Sequence, residues 1–212
     1  MALNVDHSEE EQVEALKRWW KEYGGSLIIG IVLGGSLIAG NKWWQQHKVS
    51  QAESGSTAYA AFLKSVEANR YDEVIKLGES LVGEHSGSSY SDLTRLILAR
   101  VAFDKGDTDK AKTHLQSVLD NTHDSGVKNT ARLRLARLLE SAGENDKALA
   151  MITDVTGIAG FEADYAELRG DLLLAKGSRQ DAKKAYEEAA KKAGNSEYSQ
   201  LLKMKLANLG AG

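Results

Sequence analysis

The chain has no cysteine and no proline in 212 residues. Without cysteine there are no disulfide staples, no thiolate metal sites and no cysteine nucleophile, and the redox compartment goes unread. The missing proline says more. It makes up about 5% of ordinary sequences and breaks helix interiors, so its absence points to a chain that is helical almost throughout. Nor is there an excess of one charge: 27 Lys and Arg stand against 30 Asp and Glu, for a net charge of −3. That balance lacks the concentrated basic stripe through which a protein holds nucleic acid. Aromatic residues are scarce at 7%, so where they fall carries information.

One stretch lacks charge altogether. From Tyr23 to Asn41, nineteen residues carry no Asp, Glu, Lys or Arg, and all four tryptophans flank them, Trp19 and Trp20 before, Trp43 and Trp44 after. As a helix the run is about 28 Å long, close to the roughly 30 Å hydrocarbon core of a bilayer. Paired tryptophans at both ends are the placement of interfacial anchors. A buried core helix would not need them, so the run reads as a single transmembrane helix in contact with the lipid bilayer. A cleaved signal peptide needs a short basic lead and a small-x-small cleavage site. Here the lead contains Asp6, Glu9, Glu10, Glu11, Glu14 and Glu22, and Leu37-Ile38-Ala39-Gly40 closes the run.

Lys17, Arg18 and Lys21 outnumber Lys42 and Lys48 on the other flank, a bias that favours a cytoplasmic N-terminus and a C-terminal domain across the membrane, which at the inner membrane of a bacterium means the periplasm. Ser8 with Glu11 forms a capping box, which starts the helix near residue 8. Val13, Leu16 and Trp20 then share a face that could rest on lipid or dock a cytoplasmic partner. Within the membrane Ser26, Gly30 and Gly34 form a small-residue ridge on which another helix could pack, although six glycines in the stretch make such spacing easy to meet by chance.

Beyond the run, one unit recurs: Asn69-RYDE-Val74, Gly106-DTDK-Ala111, Gly143-ENDK-Ala148 and Gly177-SRQD-Ala182, with turn residues 37, 37 and 34 positions apart. Glycine or asparagine suits the left-handed residue that ends a helix, and acids just beyond suit the start of the next. Each unit is therefore a helical hairpin. Apolar residues keep helical spacing around the turns, as in Leu98, Ala99 and Ala102 before the second and Ala111, Leu115 and Val118 after it. In the third unit the second helix is expected to carry Ala148, Ile152 and Val155; in the fourth, Gly170, Ala182 and Ala189 mark a close crossing. After a Gly194-Asn195-Ser196 break, Leu201, Leu202, Met204 in part, Leu206 and Leu209 supply the cap that a stack of hairpins needs.

These units resemble the tetratricopeptide repeat, though Ala58, Arg95, Arg132 and Ala166 stand at its tryptophan position and no unit ends in proline. The fold class is all-α: one N-terminal transmembrane helix, then a solenoid of about four hairpins with a capping helix. The expected divisions are a cytoplasmic tail over 1–22, the membrane helix over 23–41, a helical linker over 42–54 and the repeat domain over 55–212, capped by 197–209. In such stacks the first helix of each hairpin lines a groove, here mapping to Tyr59, Leu63, Leu96, Arg100, Phe103, Leu133 and Arg137. Leucines at 96 and 133 argue for apolar segments or a folded partner over a peptide C-terminus. The alternative is that Leu96, Phe103 and Leu133 are simply core.

Catalytic patterns do not emerge. The histidines 7, 47, 85, 114 and 123 are scattered, with no paired arrangement for a metal. His114 is expected to be exposed among Lys and Thr. Asp120 and Asp124 lie in a polar stretch, 120–129, expected to be a solvated loop like 84–92. They lack the Glu that would close a calcium loop. No enzymatic activity and no cofactor are expected.

The acidic start, the Lys17-Arg18-Trp19-Trp20 and Lys42-Trp43-Trp44 flanks and the repeat-like domain together resemble the YfgM family of ancillary subunits of the bacterial Sec translocon. The resemblance implies a role beside SecYEG, handing newly translocated chains to periplasmic folding factors. It also implies the membrane-anchored chaperone PpiD as partner, with unfolded clients and a cytoplasmic stress-response regulator as further ones. The alternative function is a membrane-tethered scaffold for another envelope assembly, such as cell division or outer-membrane biogenesis.

Overall fold

The computed structural model describes residues 9–194 and 197–210, and among them it contains nine α-helices and no strand. The chain divides into two compact units, 1–53 and 54–212. Ser8 of the expected capping box, Asn195 and Ser196 of the expected break, and Gly212 lie outside the described residues.

Helix α1 runs Glu9–Glu67. In the first unit, among the described residues, Leu27, Ile28, Ile29, Val32, Leu33 and Ile38 are exposed, and Leu37 is 75% exposed. An 18-residue window there has a mean hydropathy of 1.7 and is only 6% buried, so by length and composition the helix can cross a membrane. The flanking rings make their contacts one turn apart along the helix. Trp19 lies on Tyr23 with centroids 6.1 Å apart, Trp20 covers Gly24, Trp43 stacks on His47 at 5.6 Å, and the Lys48 ammonium sits 5.3 Å from the Trp44 ring.

The second unit is a stack of four hairpins. The end of α1 pairs with α2 (Tyr71–Glu84), α3 (Ser89–Asp104) with α4 (Thr108–Asn121), α5 (Ser125–Ser141) with α6 (Asn145–Ile152), and α7 (Glu162–Ala175) with α8 (Arg179–Ala193); α9 (Glu197–Gly210) follows. The four turns share one geometry. Asn69, Gly106, Gly143 and Gly177 have φ of 53°, 82°, 77° and 79°. Each donates to the carbonyl three residues back, and the residue after it donates five back, as Asp107 N to Ala102 O at 2.9 Å and Glu144 N to Leu139 O at 2.8 Å. This is the double bond that closes a helix on a left-handed residue. The first turn obeys it with asparagine, which with aspartate is the non-glycine residue that most readily tolerates this region.

Packing explains the small residues in each unit. Val74, Ala111, Ala148 and Ala182 are all buried, because there the second helix presses on the first. The closest crossing is at Gly170, where a Cβ would meet the Tyr186 ring at 2.6 Å. Core clusters join successive hairpins. Leu96, Ala99, Leu115, Val118, Ala131 and Leu135 belong to one, and Leu133, Ala136, Ile152, Tyr165, Leu168 and Leu172 to the next. Lys105 on Asp72 and Lys176 on Asp146 repeat one exposed ion pair, from the end of a first helix to the start of the previous second helix. Such pairs are worth only about 0–1 kcal/mol each.

Two expectations about loops change. The polar stretches are shorter than expected, because Ser88 accepts from Ser91 N and Asp124 from Val127 N, starting α3 and α5 early. Conversely, α6 stops at Ile152, and Val155 lies on a connection instead of a helix. Thr153, Val155 and Thr156 disfavour helix, and Asp154, Gly157 and Gly160 take positive φ. Asn129 fastens this connection: its Nδ2 donates to Gly157 O at 2.9 Å, and its Oδ1 accepts from the buried Tyr165 hydroxyl at 2.8 Å. Val155 and Ile158 still pack on the core that α6 serves.

Candidate protein-binding cleft

A cleft of about 420 Å³ opens between α3 and α5. Helix α3 contributes Leu96, Ile97, Ala99, Arg100 and Phe103; helix α5 contributes Arg134, Arg137, Leu138 and Ser141. These are positions three, four and seven apart, which lie on one helical face. Leu96, Ala99 and Leu138 are buried and form the floor with Leu115 of α4, whereas Phe103 stays 43% exposed. Arg100 pairs with Asp104 one turn on, at 2.8 Å. Arg134 Nη1 donates to Leu96 O at 3.2 Å, and Arg137 Nη2 lies 3.8 Å from Glu167.

Past Arg137 the charge changes sign, and the capping helix answers it. Lys205 Nζ of α9 reaches Glu167 at 2.8 Å and Asp171 at 2.6 Å. The hydroxyls of Tyr198 and Tyr186 donate to Glu167 and Asp171, each at 2.6 Å. Burial, together with these carboxylate partners, drives both phenols far above the ordinary tyrosine range. Burial, with Asp171 nearby, also raises the Glu140 carboxyl. Burial pushes Glu167 upward, yet the Lys205 and Tyr198 hydrogen bonds together with the charges of Lys205 and Arg137 hold it below its usual value.

Of the seven residues mapped to the groove, Leu96, Arg100, Phe103 and Arg137 meet at this cleft. Leu133 does not. It is 4% exposed and packs with Ala136, Tyr165 and Leu168 in the core below α7. Tyr59 and Leu63 are half-buried against Phe62 in the first hairpin. Arg134 was not among the mapped residues. At Gly30 and Gly34 a Cβ would meet nothing within 4 Å, and Ser26 is exposed.

His114 corrects an expectation. It is 5% exposed, with Nε2 3.7 Å from Glu79 Oε1 and neither ring nitrogen hydrogen-bonded. Burial lowers its pKa, against the opposing pull of Glu79. The helical spacing Ala111, His114, Leu115, Val118 already places it on the apolar face of α4. Asp120 accepts from Gln116 and Asp124 caps α5, so neither is poised for a cation. Among the described residues no three His, Asp or Glu side chains gather as a metal site would require.

A bare helix long enough to span a bilayer, followed by hairpins closed on left-handed residues, defines a membrane-anchored protein with a tetratricopeptide-like solenoid. The family profile described as a tetratricopeptide repeat-like domain matches residues 17–211. The chain is also 34% identical over 207 residues to the ancillary SecYEG translocon subunit of Escherichia coli K12, covering 98% of this chain and 99% of that relative. The protein of that name in Haemophilus influenzae is 32% identical over 209 residues, covering 99% and 100%. A third, from Neisseria gonorrhoeae, is 30% identical over 215 residues, again covering 99% and 100%. The chain belongs to the family of ancillary SecYEG translocon subunits.

Proposed function

We propose that this protein is a non-enzymatic adaptor of the Sec translocon, which keeps periplasmic chaperones close to newly translocated chains. The observation that carries this reading is the likeness to named SecYEG subunits along nearly the whole chain, anchor and repeats together. In this reading 1–22 is a cytoplasmic tail, 23–41 spans the inner membrane, 42–54 links the span to the domain, and 55–212 works in the periplasm. The basic edge of Lys17, Arg18 and Lys21 supports that orientation. The membrane-anchored chaperone PpiD is the proposed dedicated partner, translocated clients are transient ones, and the cytoplasmic tail is free to meet a stress regulator. The cleft, with arginines and an exposed Phe103 around an apolar floor, has the composition of a protein contact and holds no paired acid and base for catalysis.

The test is site-specific photocrosslinking from native membranes, with probes at Phe103 and at Leu33. Adducts to SecY, SecE or SecG and to PpiD are expected. Adducts confined to another envelope assembly would replace the reading with a scaffold role. A reporter active only outside the cytoplasm should work when fused after Gly212 and fail when fused before Met1.

A further inference from the structure

The cleft between α3 and α5 brings three guanidinium groups together. Arg100 already holds Asp104, and Arg137 has Glu167 at the edge of ion-pair range. Arg134 stands apart: its one recorded bond is to the Leu96 carbonyl, and among the described residues no carboxylate pairs with it. A guanidinium has five N–H donors in a planar fork, so most of its donors have no partner among the described residues. Burial, and then the charges of Arg100 and Arg137, lower the Arg134 pKa. Like charges set side by side disfavour the empty state and are relieved by an anion. Directly beneath them lies the apolar floor of Leu96, Ala99, Leu115 and Leu138, with Phe103 on the rim.

An occupant must answer both features at once. A purely apolar segment would leave the guanidinium groups to be desolvated without partners, at a cost. A basic segment would be repelled. A free anion would leave the floor wet. Towards α7 the preference ends, because Glu167 and Asp171 would repel carboxylates and are already held by Lys205, Tyr198 and Tyr186. The negative charge of the occupant is therefore favoured over α3 and α5.

We propose that this cleft captures an acidic-apolar stretch of a partner polypeptide, with a large apolar side chain on the Leu96–Leu138 floor and neighbouring carboxylates on Arg134 and Arg137. The proposal rests on the adaptor reading in one respect only, that the repeat domain works by protein contacts. It assigns Arg134 as the principal charge-reading residue.

The experiment uses the full-length chain in neutral detergent and short fluorescein-labelled peptides read by anisotropy. One peptide carries leucine and phenylalanine between aspartates; a second replaces the aspartates by lysines; a third replaces the apolar pair by serines. The acidic-apolar peptide is expected to bind at least about tenfold more tightly than either control, since one control loses the charge-assisted bonds and the other the apolar contact. Its binding should weaken with salt. Arg134→Glu with Arg137→Glu should abolish the preference while the helical circular dichroism stays native, and Arg134→Lys should keep most of it. Equal binding of the acidic and lysine peptides overturns the proposal. So does displacement of the acidic peptide by short-chain phosphatidylglycerol combined with loss of the apolar requirement, which would make the cleft a lipid-headgroup site. Crosslinking of the same chain to the translocon separates the two readings. Translocon adducts without peptide preference sink this inference alone, and peptide preference without such adducts sinks the adaptor reading alone.

Discussion

Residues 12–53 and the repeat region, described over 54–194 and 197–210, are both built from helix, yet they treat the same side chains in opposite ways. Leu33 is 60% exposed and Leu172 fully buried; Gly34 has open space around it, whereas a Cβ on Gly170 would collide with a tyrosine ring. In the first region apolar side chains surround the helix on every face, a pattern that is stable only where the surroundings are themselves apolar. In the second they are confined to the faces where helices meet, and Lys, Asp and Glu take the rest. One helical period thus serves two purposes: the leucines of the first region stand bare on a helix able to cross a bilayer, and those of the second close on the neighbouring hairpin.

The comparison can be broken most sharply by truncating a leucine on each side. Leu172→Ala should cost about 2–5 kcal/mol. In a domain of this size that lowers the thermal midpoint by roughly 5–15 °C, measured by circular dichroism in detergent. Leu33→Ala should leave the same transition in place. An equal drop from both would mean that the first region is packed like a core.

Adding a methyl group is gentler and runs in the same direction. Gly170→Ala forces the Tyr186 ring aside while its hydroxyl is tied to Asp171 at 2.6 Å, and overpacking of this kind costs about 1–3 kcal/mol. Gly34→Ala should be silent in the same melt. A silent Gly170→Ala would show that α7 and α8 can separate freely.

The smallest effect concerns pH. In the unfolded chain His114 takes up a proton near its ordinary value of 6.5, whereas in the fold burial lowers that value. The unfolded state then binds more protons, so stability is full above pH 6.5 and declines as the pH falls below it. The thermal midpoint should fall between pH 7.0 and pH 5.5 (about the span of a histidine titration) more steeply for the parent than for His114→Gln. Parallel slopes would show that other groups carry the dependence.

How much of this was legible beforehand depends on what each residue must satisfy. Asn69, Gly106, Gly143 and Gly177 could be found because their backbone φ demands particular residue types. The apolar run could be found because a bilayer sets its length. The cleft was only partly legible. Matching positions 37 apart pairs Leu96 with Leu133 and Arg100 with Arg137, yet two helices that border one cleft turn opposite flanks towards it. On α5 that flank is Arg134, Arg137, Leu138 and Ser141, so Leu133 fell away and Arg134 was overlooked. The break in α6 was hidden because Val155 packs on the core from a loop as well as it would from a helix.

The ion cluster under α9 sets a rule for how such an array can change in evolution. Repeat proteins lengthen by copying a hairpin, and Glu167 and Asp171 of the last one align with Leu133 and Arg137 of the third and with Leu96 and Arg100 of the second. A duplicate of either earlier hairpin, inserted before α9, would set Lys205 against an arginine and strip Glu167 and Asp171 of the ammonium that now holds them. Removing one partner from a buried charge is strongly destabilising, by about 3–5 kcal/mol. The cap therefore accepts the fourth hairpin and rejects copies of the second and third. Copying the second or third hairpin cannot by itself extend the stack at this end.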